Sequence, residues 1–315
     1  MTERAVGVML PRDLPAHLFR TYAQRAEALG FDELWVVEDC FFRGGIAQAA
    51  SALAMTERIR VGIGILPAAV RNAAFTAMEV STLAELFPGR IDVGIGHGMP
   101  GWMRQVGAWP KSPLTMLGEH LDAVRGILGG APTSTDGRYV TLDDVQLESV
   151  PPAPRILAGV RGPRSLALAG RSADGTVLAE PVTPEYVAEA LRHIAPTREH
   201  RVVAYCVAAV DDSADAARDA ARPALEWIGE PDWDVHIAPL PFADEFRALR
   251  AGATDRADFV ARMPDVWVDQ LAVVGTVHDA RTRIGQLHDA GVTTTVLMPV
   301  GPDPLVAMES LARVL

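Results

Sequence analysis

The chain has 315 residues, 49% of them hydrophobic, 22% charged and 6% aromatic, a globular composition whose length allows two ordinary domains or one large α/β barrel. Twenty-nine Lys and Arg against 40 Asp and Glu leave a formal charge of −11 without any basic cluster, which excludes nucleic acid and anionic membrane surfaces as partners. Two cysteines, Cys40 and Cys206, lie far apart in apolar runs, too few for a disulfide framework or a thiolate metal site, and the eight histidines show no short ligand spacing, so no metal is expected.

Met1 to Arg4 lead directly into a strand-like segment, and no apolar run reaches the about 18 residues that span a bilayer; a cytoplasmic chain without signal peptide is expected. Val6–Leu10 reads as the first strand. Leu18, Tyr22, Ala26 and Leu29 recur at helical spacing until Gly30, a natural helix stop. Strands Glu33–Val37, Arg60–Leu66 and Ile91–Ile95 then alternate with helices Gly45–Met55 and Ala73–Leu86, the pattern of a parallel sheet covered by helices. From Gly96 to Pro113 the chain holds four Gly, three Pro and two Trp without periodicity and reads as a long loop, the kind that is usually functional.

Leu114–Leu128 reads as helix, and 133–147, with Asp136-Gly137 between short β-branched runs, as a hairpin insertion. Strands 155–158, 175–178 and 201–210 alternate with helices 163–170, 184–194 and 213–228. Residues 231–270 form a less regular helical insertion, followed by helix 277–290, strand 292–300 and a last helix at 304–314. Eight strands of this kind predict one α/β domain over 1–315, a TIM (β/α)8 barrel with two insertions. A doubly wound sheet is the rival, but the segment after the first strand lacks its Gly-x-Gly-x-x-Gly turn.

Sites in a barrel gather at the C-terminal strand ends. Gly94-Ile95-Gly96-His97-Gly98 ends the fourth strand with glycines that admit close backbone approach, or else forms a plain turn, and His97 between them is a candidate proton carrier. Gly159-Val160-Arg161-Gly162-Pro163-Arg164-Ser165 joins a strand to a helix start. Two Arg there oppose the helix dipole unless an anion compensates them, which favours a phosphate cradle over a tight turn with solvated arginines. Glu38 and Asp39 end the second strand, where they either cap the helix at Gly45 or orient a ligand donor. Cys40 beside two acids is a poor nucleophile and is placed in the substrate pocket, with Glu180 at another strand end. Arg71 either holds an anion or covers the barrel top. Trp102, Met103 and Trp109 either roof the pocket or pack a subunit contact.

Leu34 to Asp39, Arg60 to Pro67, Ala77-Met78-Glu79, Leu83 to Arg90, Gly94-Ile95-Gly96, Gly162 to Gly170 and Val274-Gly275-Thr276 together resemble the bacterial luciferase-like superfamily. The likeness is strongest to the branch that uses the deazaflavin coenzyme F420, which includes methylenetetrahydromethanopterin reductase and F420-dependent glucose-6-phosphate dehydrogenase. The resemblance implies a TIM barrel with the cofactor over its C-terminal mouth and a non-prolyl cis peptide at Gly64-Ile65. It also implies cofactor contacts from Asp39, Gly64, Ile65, Leu66, Gly96, His97, Gly98 and the segment Gly159 to Ser165, and a homodimer built on helices two and three. Cys40, and His97 in place of an acid, depart from the sugar-phosphate relatives and put that reaction in doubt. His97 and Asp39 are then the candidate catalytic pair. The implied activity is hydride transfer between F420 and a small organic substrate. An FMN-dependent monooxygenase and a non-catalytic flavin-binding barrel are the alternatives.

Overall fold

The structure, a computed structural model, describes residues 4–315. Its elements are β1 (Ala5–Met9), α1 (Phe19–Leu29), β2 (Glu33–Val36), α2 (Gly45–Met55), β3 (Arg60–Pro67), α3 (Ala73–Leu86), β4 (Ile91–Gly96), α4 (Pro100–Gln105), α5 (Pro113–Leu128), β5 (Thr133–Asp136), β6 (Thr141–Val145) and β7 (Arg155–Gly159). They continue as α6 (Pro163–Ser172), β8 (Gly175–Leu178), α7 (Pro184–Ile194), β9 (Arg201–Val210), α8 (Ala214–Ala221), α9 (Asp234–Ile237), α10 (Ala243–Ala251), α11 (Arg256–Ala261), α12 (Asp265–Leu271), β10 (Val273–Gly275), α13 (Val277–Asp289), β11 (Thr294–Pro299) and α14 (Pro304–Ala312).

Strands β11-β1-β2-β3-β4-β7-β8-β9 pair in that order, all in parallel, and the β8–β9 pairing closes the ring into the expected eight-stranded barrel. The β5–β6 hairpin lies outside it. Three details differ from expectation. The segment between Gly96 and Pro113 contains a short helix, α4, that starts on Pro100, a residue preorganised for a first helical turn. The helix expected over 213–228 turns into tight 3-10 turns at Arg222, next to Pro223. A short ninth strand, β10, pairs with the last residues of β9, too short to carry a readable alternation.

Strand alternation sorts the core into two layers. Met9, Trp35, Val37, Ile65, Leu157, Val177, Val203, Tyr205, Val296 and Met298 fill the barrel interior. A larger cluster lies between strands and helices. Trp35 is fully buried inside the ring, and its register neighbour Gly62 makes room: a Cβ there would sit 2.3 Å from the indole. Residues 207–274 gather a third apolar cluster of their own, including Leu225, Ile228, Trp233, Phe246 and Phe259.

The N-terminal end of the barrel is closed by ions. Arg201, 10% exposed, bridges Glu33 and Asp92, each 4% exposed. Arg60 reaches Asp92 at 2.7 Å, the Trp35 indole N–H donates to Glu33 at 2.8 Å, and the Thr294 hydroxyl accepts from Arg201 at 2.8 Å. A charge cluster at that face serves the scaffold, not the chemistry.

His120 on α5 is buried, with neither ring nitrogen partnered among the described residues. Burial, with the Arg71 charge adding to it, pushes its pKa down to about 4. An unfolded chain binds that proton near pH 6.5, so stability is at its full value above about pH 6.5 and falls as pH drops towards 4, by about 1.4 kcal/mol per pH unit for one such site. Urea midpoints measured at about pH 7 and pH 5 should therefore separate less in His120→Leu than in the parent chain; equal separations would contradict a neutral buried histidine.

Candidate active site

The C-terminal mouth is built from strand ends brought together by the closed ring. Asp39 follows β2 and accepts from Arg12 of the β1 end at 3.0 Å. Its neighbour Glu38 is structural: it accepts the first backbone N–H of α2, from Gly45, at 2.6 Å, and the Arg71 guanidinium at 2.5 Å. That is the helix-cap alternative, and it also occupies Arg71. Cys40 is half-buried, and desolvation followed by the charges of Glu38 and Asp39 pushes its thiol up, which keeps it a poor nucleophile.

The Gly64-Ile65 bond is cis, as is Cys40-Phe41; Glu180-Pro181 is a cis X-Pro bond. Ile65 turns into the barrel and forms an apolar floor. The glycines expected to admit a ligand serve this side chain first: a Cβ on Gly159 would lie 2.4 Å from Ile65, and one on Gly96 would lie 2.6 Å from the Gly159 carbonyl and 3.1 Å from Ile65. Gly98 has φ +69 and packs against Pro67 and Met103. The Leu66 and Val160 side chains are buried in the layer between strands and helices, Leu66 completely, so any contact of these two residues with a ligand at the mouth is through their backbone. Residue 65 faces in and residue 66 out, which a count along the strand does not reveal across a register shift between Ile63 and Leu66.

Two predicted groups meet. His97, after β4, and Ser165, in the first turn of α6, share a hydrogen bond of 3.0 Å across 68 residues. Burial, with Arg161 adding to it and a Pro113 backbone contact opposing, lowers the His97 pKa, so its neutral form prevails near neutrality. Helix α6 opens on Gly162 without a side-chain cap, Pro163 has no N–H, and the first bonded amide is that of Leu166, to the Gly162 carbonyl. The N–H groups of Arg164 and Ser165 are therefore free to bind an anion at the positive helix end. Nothing lies within 4 Å of the Gly162 Cβ position, and Arg164 is exposed with no ion pair among the described residues. The expected phosphate cradle thus has open donors.

Arg161 is different. Its guanidinium lies 4.7 Å from the centre of the Trp233 ring and donates to the Asp232 carbonyl at 3.3 Å, while its own carbonyl accepts from the Tyr186 hydroxyl at 2.9 Å. It anchors the insertion at the mouth. Trp102 is half-exposed on α4. Glu180, two residues past β8, stands at the mouth without an ion pair among the described residues. Arg12, Tyr205, Trp233 and His236 also belong to this end of the barrel. Tyr205 carried a faint signal, as the one hydroxyl in the apolar run 201–210; the others carried none.

The mouth is suited to a flat ligand with an anionic arm: an apolar floor at Ile65, a Tyr205 hydroxyl without a partner among the described residues at the top of the barrel interior, and open amides at α6. Among the described residues no helix is long and apolar enough to cross a membrane, and no cluster of His, Cys, Asp and Glu suits a metal.

The family model described as Luciferase-like monooxygenase matches residues 3–294. The chain is 31% identical over 311 residues to 5,10-methylenetetrahydromethanopterin reductase of Methanolobus tindarius, covering 93% of each chain. Its fold is similar to the structure of coenzyme F420 dependent tetrahydromethanopterin reductase from Methanopyrus kandleri, with a TM-score of 0.83, 22% identity and coverage of 98% and 97%. It is also similar to an F420-dependent secondary alcohol dehydrogenase in complex with an F420-acetone adduct, with a TM-score of 0.78, 20% identity and coverage of 99% and 98%.

Proposed function

The chain belongs to the luciferase-like monooxygenase family, and from that premise we propose that it is an oxidoreductase that moves a hydride between coenzyme F420 and a small organic substrate at the barrel mouth. The observation that carries the cofactor is the open end of α6, where two free amides and the exposed Arg164 stand beside the His97–Ser165 pair; F420 has a phosphate and a carboxylate tail for such donors. When bound, the deazaflavin supplies the hydride chemistry. The protein's part is to bind, orient and exclude water. Ile65 would support the ring and Asp39, held by Arg12, would serve it from the end of β2, while His97 and Ser165 fix the strand end against the helix whose free amides would hold the phosphate.

Fluorescence titration of the purified chain with F420 and with FMN tests this assignment. Micromolar F420 binding is expected, and binding of FMN but not F420 would reject it. Arg164→Ala should weaken F420 about 10- to 100-fold, the equivalent of about 1.5–3 kcal/mol for a charge-assisted bond, with the melting temperature unchanged.

A homodimer is part of the same proposal. Phe75, Met78 and Leu86 leave α3 48–65% exposed in one helical stripe, and Val70 precedes them at 45%. A second copy packing on this face buries them. Light scattering should give twice the chain mass, and Phe75→Glu with Met78→Glu should halve it; a monomeric parent chain would exclude the contact.

A further inference from the structure

We propose that Glu180 is the acid that exchanges a proton with the substrate heteroatom, with the buried Tyr205 hydroxyl as its partner and Trp233 and His236 of the insertion as the groups that position it. The proposal rests on the hydride-transfer function above.

Glu180 is held by its backbone and left open at its carboxyl. The Trp233 indole N–H donates to the Glu180 carbonyl at 3.0 Å, and His236 Nδ1 donates to the next carbonyl, of Pro181, at 3.1 Å. A carbonyl only accepts, so His236 carries its proton on Nδ1. The His236 ring is fully buried and stacks on Tyr186 at 4.2 Å, and burial, with Arg161 adding to it, takes its pKa down to about 3, so this prop does not titrate near neutrality. Tyr186 in turn grips the Arg161 backbone. The carbonyl of Glu180 and the one after it are thus pinned by one segment, which holds the backbone from which the Glu180 side chain emerges. The Glu180 carboxyl accepts only from its own backbone N–H and makes no ion pair among the described residues. A preorganised backbone with an uncommitted carboxyl is the arrangement a proton-transfer group requires.

The second observation is independent. Tyr205 is 5% exposed and its hydroxyl has no partner among the described residues. It lies where a side chain on Gly64 would be, 2.3 Å from that Cβ position, at the top of the barrel interior beside the floor formed by Ile65. A buried donor left unmade is costly, so this hydroxyl is aimed at a group that arrives with ligand or with charge. The groups that act on Glu180 are Arg12 from the β1 end, Asp39 from β2 and Arg161 from β7, while Glu180 and Asp39 both act on Tyr205. Burial raises the Glu180 carboxyl and Asp39 adds to this, with Arg161 and Arg12 opposing, so it keeps a proton to higher pH than an ordinary glutamate. The rival carriers are committed: His97 to Ser165 and Asp39 to Arg12.

In the reducing direction a bound reduced deazaflavin would supply the hydride, with its electron pair, to the carbon of a C=O or C=N substrate. The π pair moves to the heteroatom, which takes the carboxyl proton of Glu180. The carboxylate left behind accepts from the Tyr205 hydroxyl until solvent reprotonates it. In the oxidising direction the same carboxylate removes the substrate O–H or N–H proton.

Carbon NMR of the full chain with isotope-labelled glutamate carboxyls tests the proposal without a substrate, Glu180→Gln assigning the signal. The expected result is one carboxyl that titrates above the other glutamates and shifts its midpoint in Tyr205→Phe. A Glu180 signal that titrates with the rest means no proton is available near neutrality and overturns the proposal. In turnover with F420 and a substrate from a panel of ketones, imines and alcohols, Glu180→Gln should lower kcat about 10²- to 10⁴-fold with F420 affinity within about twofold, and Glu180→Asp should recover part of the rate. A parental kcat and pH profile in Glu180→Gln also overturns it. That outcome is distinct from failure of the cofactor assignment, in which the parent chain itself binds no F420.

Discussion

Arg201→Ala is expected to lower the unfolding free energy by about 3–5 kcal/mol, read from urea denaturation. The substitution removes the shared cation of Glu33 and Asp92, two carboxylates 4% exposed at the closed end of the barrel, and leaves their charge with Arg60 and the Trp35 indole as remaining nearby donors. The price of desolvating two acids is then no longer offset. Arg313→Ala is the control, because Arg313 pairs with an Asp212 that is 90% exposed, and it should cost under about 1 kcal/mol. A loss below about 1 kcal/mol in Arg201→Ala would show that water reaches the barrel end. F420 affinity should not move, since the cluster lies at the opposite end from the mouth.

Trp35→Ala should cost about 3–5 kcal/mol, because the largest side chain inside the ring leaves a cavity that surrounding strands cannot close. Gly62→Ala should cost about 1–3 kcal/mol for the opposite reason: its Cβ would stand 2.3 Å from the indole, and both residues are fixed in register on adjacent strands. The double mutant decides whether these are one contact. With the indole gone the added methyl has space, so the pair together should cost at least about 1 kcal/mol less than the sum of the singles. Additive losses would mean that Gly62 is required by its backbone and not by Trp35.

The eight barrel strands were legible because each is a short apolar run bounded by a helix of clear period, and parallel strands buried on both faces advertise themselves in this way. The catalytic end was half legible. His97 stands out between glycines at a strand end and Ser165 at a helix start, and closure of the ring brings them to 3.0 Å. That the Leu66 side chain faces the outer layer while Ile65 faces in was not legible, because the shift in β3 register hides which is which. Gly96 was recognised as a site of close approach, but the groups that approach are the Gly159 carbonyl and Ile65 of the neighbouring strand. Arg12, Trp233 and His236 acquire meaning only through hydrogen-bond partners 27 to 55 residues away. No local spacing encodes such a separation.

The insertion after β9 has an apolar cluster of its own, apart from the barrel interior, yet it grips Arg161 and the backbone at Glu180. The barrel interior is thus filled without that segment, which packs on the end of β9 through Val207 and Ala209, whereas two charged residues at the mouth are held in place by it. Substitutions in residues 222–271 are therefore expected to alter what the mouth admits before they alter the interior of the ring, because this stretch meets the barrel at Arg161, at the Glu180 backbone and at the end of β9.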